Sequence, residues 1–271
     1  MLDQTNAYKI LKSEQQKILD FSKLVCYAIP NLKKSIKGFK EKATNYETFV
    51  KPDYFIEPLV VDRISEMAKH YKDNLSKYIL ISAFSFFEGY FRDVVEELIE
   101  FHGGLENLVK HVQNRQEVLL DSHSEELLKK KTKLQTNYQK VKWQKYKRII
   151  EDLEKDKDYR HPSELFSAFG VKSFFETVSS NSFKSVMIPD LIEIGFGLDL
   201  SEKINKHADV VDKTLRETFD IMRDTRNGIG HGKSNTLTFE KVMEFIRFIR
   251  YLSVKLDNHL MKYFFVIQRY N

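Results

Sequence analysis

Apolar residues recur at three- and four-residue steps along most of this 271-residue chain, a pattern that predicts long helices joined by short connections. Over residues 1–50 the expected apolar face is Ile10, Ile18, Phe21, Leu24 and Val25, with Pro30 as a break between two helices. Phe49 to Pro58 holds two of the five prolines and reads as an extended connection. From Leu59 to Phe101 the helical pattern strengthens, and the run from Ile79 to Arg92 is so apolar all round that it predicts a helix buried on most sides. Glu164 to Leu200 alternates short apolar runs with Ser and Gly, which suits short helices and a turn at Ile188-Pro189-Asp190. Ile204, Ala208, Val211, Leu215, Phe219 and Met222 then form the stripe of a helix expected to begin near Ser201. A last helix carries Val242, Phe245, Ile249, Leu252, Leu256, Tyr263 and Ile267, with Thr238 as its cap and Glu240 in its first turn.

Ten glycines and five prolines are too few for a turn-rich β fold. The expected architecture is all-α: a helical bundle of long antiparallel helices with a protruding basic helical arm. It is read as one domain over residues 1–271, comprising an N-terminal helical extension (1–58), a charged helical insertion (111–160) and a motif-bearing helix pair (200–271). Hydrophobic residues at 42%, with 21 Phe and 13 Tyr, are enough for a substantial core. A single cysteine, Cys26, excludes an intramolecular disulfide and points to a reducing compartment. The uncharged run Tyr78 to Phe87 is too short to span a bilayer, and the N-terminus lacks a signal-peptide pattern. The expectation is therefore a cytoplasmic protein without a membrane partner.

Charge changes the picture in one place. Leu127 to Arg148 holds nine basic residues and no acidic one, in a chain whose net charge is +5. Lys129, Lys130, Lys131, Lys133, Lys140, Lys142, Lys145, Lys147 and Arg148 are interleaved with Tyr138, Trp143 and Tyr146. Cations suit a phosphate backbone, and rings such as Trp143 suit unstacked bases, so the segment is a candidate RNA-binding arm. Flanking Glu125-Glu126 and Glu151-Asp152-Glu154 equally suit an exposed, solvated hairpin. No Walker loop, HExxH, Cys/His cluster of metal spacing or G-x-S-x-G elbow occurs, and no metal or cofactor is expected.

The stretch with a chemical character of its own is Arg223-Asp224-Thr225-Arg226-Asn227-Gly228-Ile229-Gly230-His231-Gly232. Arg226 continues the apolar stripe of its helix, so it is either paired inside the fold or positioned for an anion. The glycines at 228, 230 and 232 are expected to end the helix and admit a close neighbour. Taken singly, His231 could bond a backbone carbonyl and Arg226 could neutralise helix C-terminal carbonyls. Glu88, among aromatics, could pair with Arg92 four residues on.

Arg226-Asn227-Gly228-Ile229-Gly230-His231 resembles the R-x4-6-H signature of the HEPN superfamily, including a polar residue after the Arg. That resemblance implies a helical bundle with the motif at a helix end, and a metal-independent endoribonuclease of the toxin or antiphage-defence kind. It further implies a homodimer whose two motifs form a composite site, an RNA substrate, and an antitoxin or defence partner protein. On this reading His231 is the general acid or base, Arg226 binds the scissile phosphate and Asn227 positions the phosphate or the imidazole. Glu88 orients Arg226 or His231, and Arg223 makes a second phosphate contact or pairs with Glu88 or Asp220. The alternatives are a non-catalytic RNA- or nucleotide-binding module, or a protein-interaction scaffold.

Overall fold

A computed structural model describes residues 4–42, 61–121, 175, 178, 183–203, 213–232 and 236–266. The expected basic arm, the Phe49–Pro58 connection and the stripe positions Ile204, Ala208, Val211 and Ile267 lie outside these residues. Described regular structure is helical, as expected: α1 (Asn6–Lys42), α2 (Val61–Lys69), α3 (Tyr71–Phe101), α4 (Leu105–Asp121), α5 (Leu215–Gly230) and α6 (Phe239–Tyr263). A one-residue antiparallel bridge, Lys203 to Thr214, is the sole β pairing among the described residues. No helix among them is long and apolar enough to cross a membrane.

Two compact units emerge. One draws on Tyr8–Tyr90 and Glu217–Lys255, and the other on Met1–Ala7, Phe91–Arg216 and Leu256–Asn271. The motif lies wholly in the first. Its core is aromatic: Phe84 and Phe87 of α3 meet Phe219 of α5 at ring separations of 5.8 and 6.2 Å, and Tyr90 meets Phe87 and Tyr8 at 6.0 and 6.3 Å. Val242, Phe245, Ile249 and Leu252 of α6 are buried, as their spacing predicts. Thr238 caps α6 as expected, its hydroxyl accepting the Lys241 N–H at 3.2 Å. In the other unit Phe196 is the hub, with Phe175, Phe264 and Phe91 at 5.7, 5.4 and 6.0 Å.

Three expectations are corrected. First, α1 runs through Pro30. Proline removes one ladder hydrogen bond and crowds the preceding turn, a cost tolerable where the backbone meets solvent; here the Asn31 amide also donates to the Tyr27 carbonyl at 2.9 Å. Secondly, α1 buries Ala7, Leu11, Gln15, Ser22 and Ile36 and leaves Ile10, Phe21 and Leu24 exposed. Gln15 and Ser22 share that packed side with Leu11 and Ile36, and of the expected face only Ile18 and Val25, both half-buried, fall in its register. Thirdly, α5 begins at Leu215, not near Ser201. Asp199 Oδ1 accepts the Ser201 N–H at 2.8 Å, and Leu215 N–H reaches back to the Glu202 carbonyl at 3.0 Å. That side-chain turn and bridge offer the backbone an alternative to a helix. Ile188–Asp190, expected as a turn, is itself a helical turn with Pro189 at its start, where the missing N–H costs nothing.

Candidate active site

Leu215, Phe219 and Met222 are buried on one side of α5, and Arg226 follows in the same register with a side chain 30% exposed. The helical path does not stop at the first glycine. Gly228 and Gly230 lie within α5, and the His231 N–H still bonds the Asn227 carbonyl at 3.0 Å. Termination falls on Gly232, whose φ of +71° closes the end with its N–H on the Ile229 carbonyl at 3.0 Å. Contrary to expectation, among the described residues no heavy atom beyond the local backbone and chain neighbours comes within 4 Å of where a Cβ would stand on Gly230 or Gly232. The motif is thus a helix end, with His231 as the cap residue.

Asn227 and His231, four residues apart in a helical path, lie on one face. Asn227 also touches Arg226, whose Nη1 donates to its Oδ1 at 3.0 Å. With the oxygen so engaged, the amide Nδ2 still has its two N–H donors. Glu88 of α3 completes the setting: its Oε2 accepts from Arg226 Nη2 at 3.2 Å, with a carboxylate 22% exposed. An ion pair this accessible is worth no more than about 1 kcal/mol, so its main effect is on direction. Arg92, the alternative partner for Glu88, lies instead over the Phe183 ring at 5.0 Å.

Phe84, one turn before Glu88, sets its buried ring 5.3 Å from Arg226 Cζ. Ring below, carboxylate at one edge and amide at another fix the guanidinium plane and, among the described residues, leave N–H donors unspent. Arg223 is committed elsewhere. It bonds Asp220 at 2.6 Å and Asp224 at 2.9 and 3.1 Å, so of the expected partners it takes Asp220 and not Glu88. His231 is exposed, and among the described residues its imidazole has no hydrogen-bond partner.

Sequence reading missed two supports. Phe84 was indistinguishable from its aromatic neighbours, and Asp73 gave no local signal at all. Asp73 Oδ1 accepts the Leu237 N–H at 3.1 Å, fixing the chain just before α6, and the Lys77 ammonium together with that N–H holds its carboxyl below the ordinary value. No group of three or more His, Cys, Asp or Glu among the described residues is placed to hold a metal. The candidate RNA-binding residues, Lys129 to Arg148 with Trp143, lie outside the described residues.

Comparison with curated proteins and with solved structures gives no match. Residues 59–262, well over half of the chain, match the family model RiboL-PSP-HEPN, and the protein belongs to that family.

Proposed function

We propose that the protein is an endoribonuclease that cleaves RNA through attack of a 2′-hydroxyl, without help from a metal, and leaves 2′,3′-cyclic phosphate and 5′-hydroxyl ends. One observation carries the reading. Arg226 is oriented by Glu88, Asn227 and Phe84 yet keeps free N–H donors, while His231 one turn on is exposed and has no partner among the described residues. An Arg used only as a brace would spend its donors inside the fold.

The chemistry follows from the residue types. A neutral imidazole takes the proton of the 2′-hydroxyl as that oxygen bonds to phosphorus. The bond from phosphorus to the 5′-oxygen breaks, and an imidazolium returns a proton to the departing oxygen. Arg226, with the Asn227 amide beside it, neutralises the charge that builds on the non-bridging oxygens. One histidine cannot start protonated and unprotonated on the same phosphate, so two copies of the chain supply one His231 each across a two-fold axis. A toxin or antiphage-defence setting, with an inhibitory or triggering partner, fits an RNA-cutting activity of this kind.

The test is cleavage of total RNA in EDTA by the full chain and by His231→Ala, with end-group analysis of the fragments. Cyclic-phosphate ends from the wild type, reduced at least about 10³-fold in the variant, are expected. Intact RNA with both proteins, each shown to be folded, would sink the nuclease and leave the non-catalytic binding module.

A further inference from the structure

The family match begins at residue 59, so α1 lies outside the matched residues. It is also strongly cationic. Its 37 residues hold nine lysines against Glu14, Asp20 and Glu41, a net +6, whereas the whole chain carries +5. Once the nine cations of Leu127–Arg148 are also set aside, the remainder of the chain sums to −10. That acidic excess falls outside the unit that bears the motif, whose residues 43–90 and 217–255 sum to zero, so a polyanion is drawn first to the two basic segments.

On α1 the packed side is Ala7, Leu11, Gln15, Ser22 and Ile36. Away from it the helix presents Tyr27 and Leu24, 75% and 65% exposed, on the opposite side, with Phe21 and Ile10, 59% and 56% exposed, on its flank. Lysines surround them. Lys17, Lys23 and Lys37 pair with acids of α1 itself at 2.6, 3.6 and 3.7 Å, and Lys40 pairs with Asp62 at 2.6 Å. Lys33 lies over Tyr71, 5.3 Å from the ring centroid. Lys9, Lys12 and Lys34 are exposed and make no ion pair with the described residues.

We infer that the outward side of α1 is a contact surface for single-stranded RNA, in which Lys9, Lys12 and Lys34 meet phosphates and the Phe21 and Tyr27 rings stack on unpaired bases. Exposed rings among unspent cations are the combination such strands need, since every base has a π face and every linkage a charge. A second α1 would bring +6 against +6, which disfavours self-association through this side. Glu14, Lys17 and Asp20 separate Ile10 from Phe21, so there is no unbroken apolar strip to lie in a bilayer. The choice of RNA as the polyanion rests on the nuclease reading, but the surface does not depend on His231.

The experiment is fluorescence anisotropy of a labelled single-stranded oligouridylate, titrated with the full chain in EDTA on a His231→Ala background between about 50 and 200 mM salt. Circular dichroism checks that each variant stays folded, as substitution at exposed positions should allow. Lys9→Glu/Lys12→Glu/Lys34→Glu is expected to weaken binding at least about tenfold and to lower the salt slope by about 2 to 3. Phe21→Ala/Tyr27→Ala is expected to weaken binding about fivefold or more with the slope unchanged. Affinity and slope unaltered in both variants would overturn the inference. So would binding to phosphatidylserine vesicles that is lost in the ring variant while RNA affinity is kept. If the wild type cuts no RNA yet the variants lose affinity as stated, the nuclease reading fails and the α1 surface stands.

Discussion

Histidine serves two different ends in the two units. In the unit that contains the end of α6, His102 and His111 place Nε2 2.9 Å from the Phe264 and Tyr263 carbonyls, and His259 places its own 2.7 Å from the Phe196 carbonyl. His102 and His111 face each other with centroids 4.7 Å apart, and Arg115 lies 3.7 Å over the Tyr263 ring. These side chains cover carbonyls that a helix end leaves open. His231 also stands at a helix end, but there the glycine that follows does the closing and the imidazole has no partner among the described residues. Arginine divides the same way: Arg216 is held between Asp190 at 2.5 Å and Glu193, while Arg226 has one carboxylate. Residue type alone does not separate the two arrangements; the number of partners among the described residues does.

The sharpest way to break that contrast is to change Arg226. Arg226→Lys keeps the charge but loses the planar fork that Glu88, Asn227 and Phe84 hold, and cleavage is expected to fall about 10²-fold in kcat/KM with an unchanged melting temperature. Single-turnover cleavage measures it, and an undiminished rate would put Arg226 with Arg216 among the braces.

A middle-sized effect is expected from His111→Leu, which strips the buried Tyr263 carbonyl of its donor. Urea denaturation should show a loss of about 1–3 kcal/mol, with the cleavage rate per folded molecule unaltered. His102 adds a pH dependence to the same region. Burial, and then the neighbouring His111, push its pKa below 6.5, against the pull of the Phe264 carbonyl. The unfolded chain then binds a proton more readily than the fold does, so this contribution is complete above about pH 6.5 and is lost as pH falls toward the depressed value. The urea midpoint should drop on acidification, and less so in His102→Gln.

The smallest effects distinguish the two glycines around His231. Gly232→Ala forces an L residue to a φ of +71° in open space, a backbone cost of about 1 kcal/mol. Gly230→Ala, inside α5 with the same open space, should stabilise by about 0.5–1 kcal/mol. Thermal melts give the signs, and the same sign for both would contradict the helix-end geometry.

Periodicity sufficed where a helix packs apolar residues on one side, as for Phe219 and Met222 in α5 or Val242 to Leu252 in α6. It succeeded only in part on α1, where Gln15 and Ser22 are buried beside Leu11 and Ile36 while Phe21 and Leu24 are exposed, so polarity and burial do not coincide along that helix. The start of α5 was hidden by a competing turn built from the Asp199 side chain. The Arg226–Glu88 link was one of two readings open at Glu88, but the carbonyl contacts of His102 and the Asp73 contact with Leu237 join residues 162 and 164 apart and leave no local trace.

Arg226, Asn227 and His231 are neighbours in sequence, whereas Glu88 precedes Arg226 by 138 residues. At ribosomal speeds of about 5–20 residues per second, the carboxylate and the Phe84 ring are made roughly 7 to 28 s before the guanidinium they orient. Until α5 emerges and docks on α3, a growing chain has no guanidinium held in this orientation.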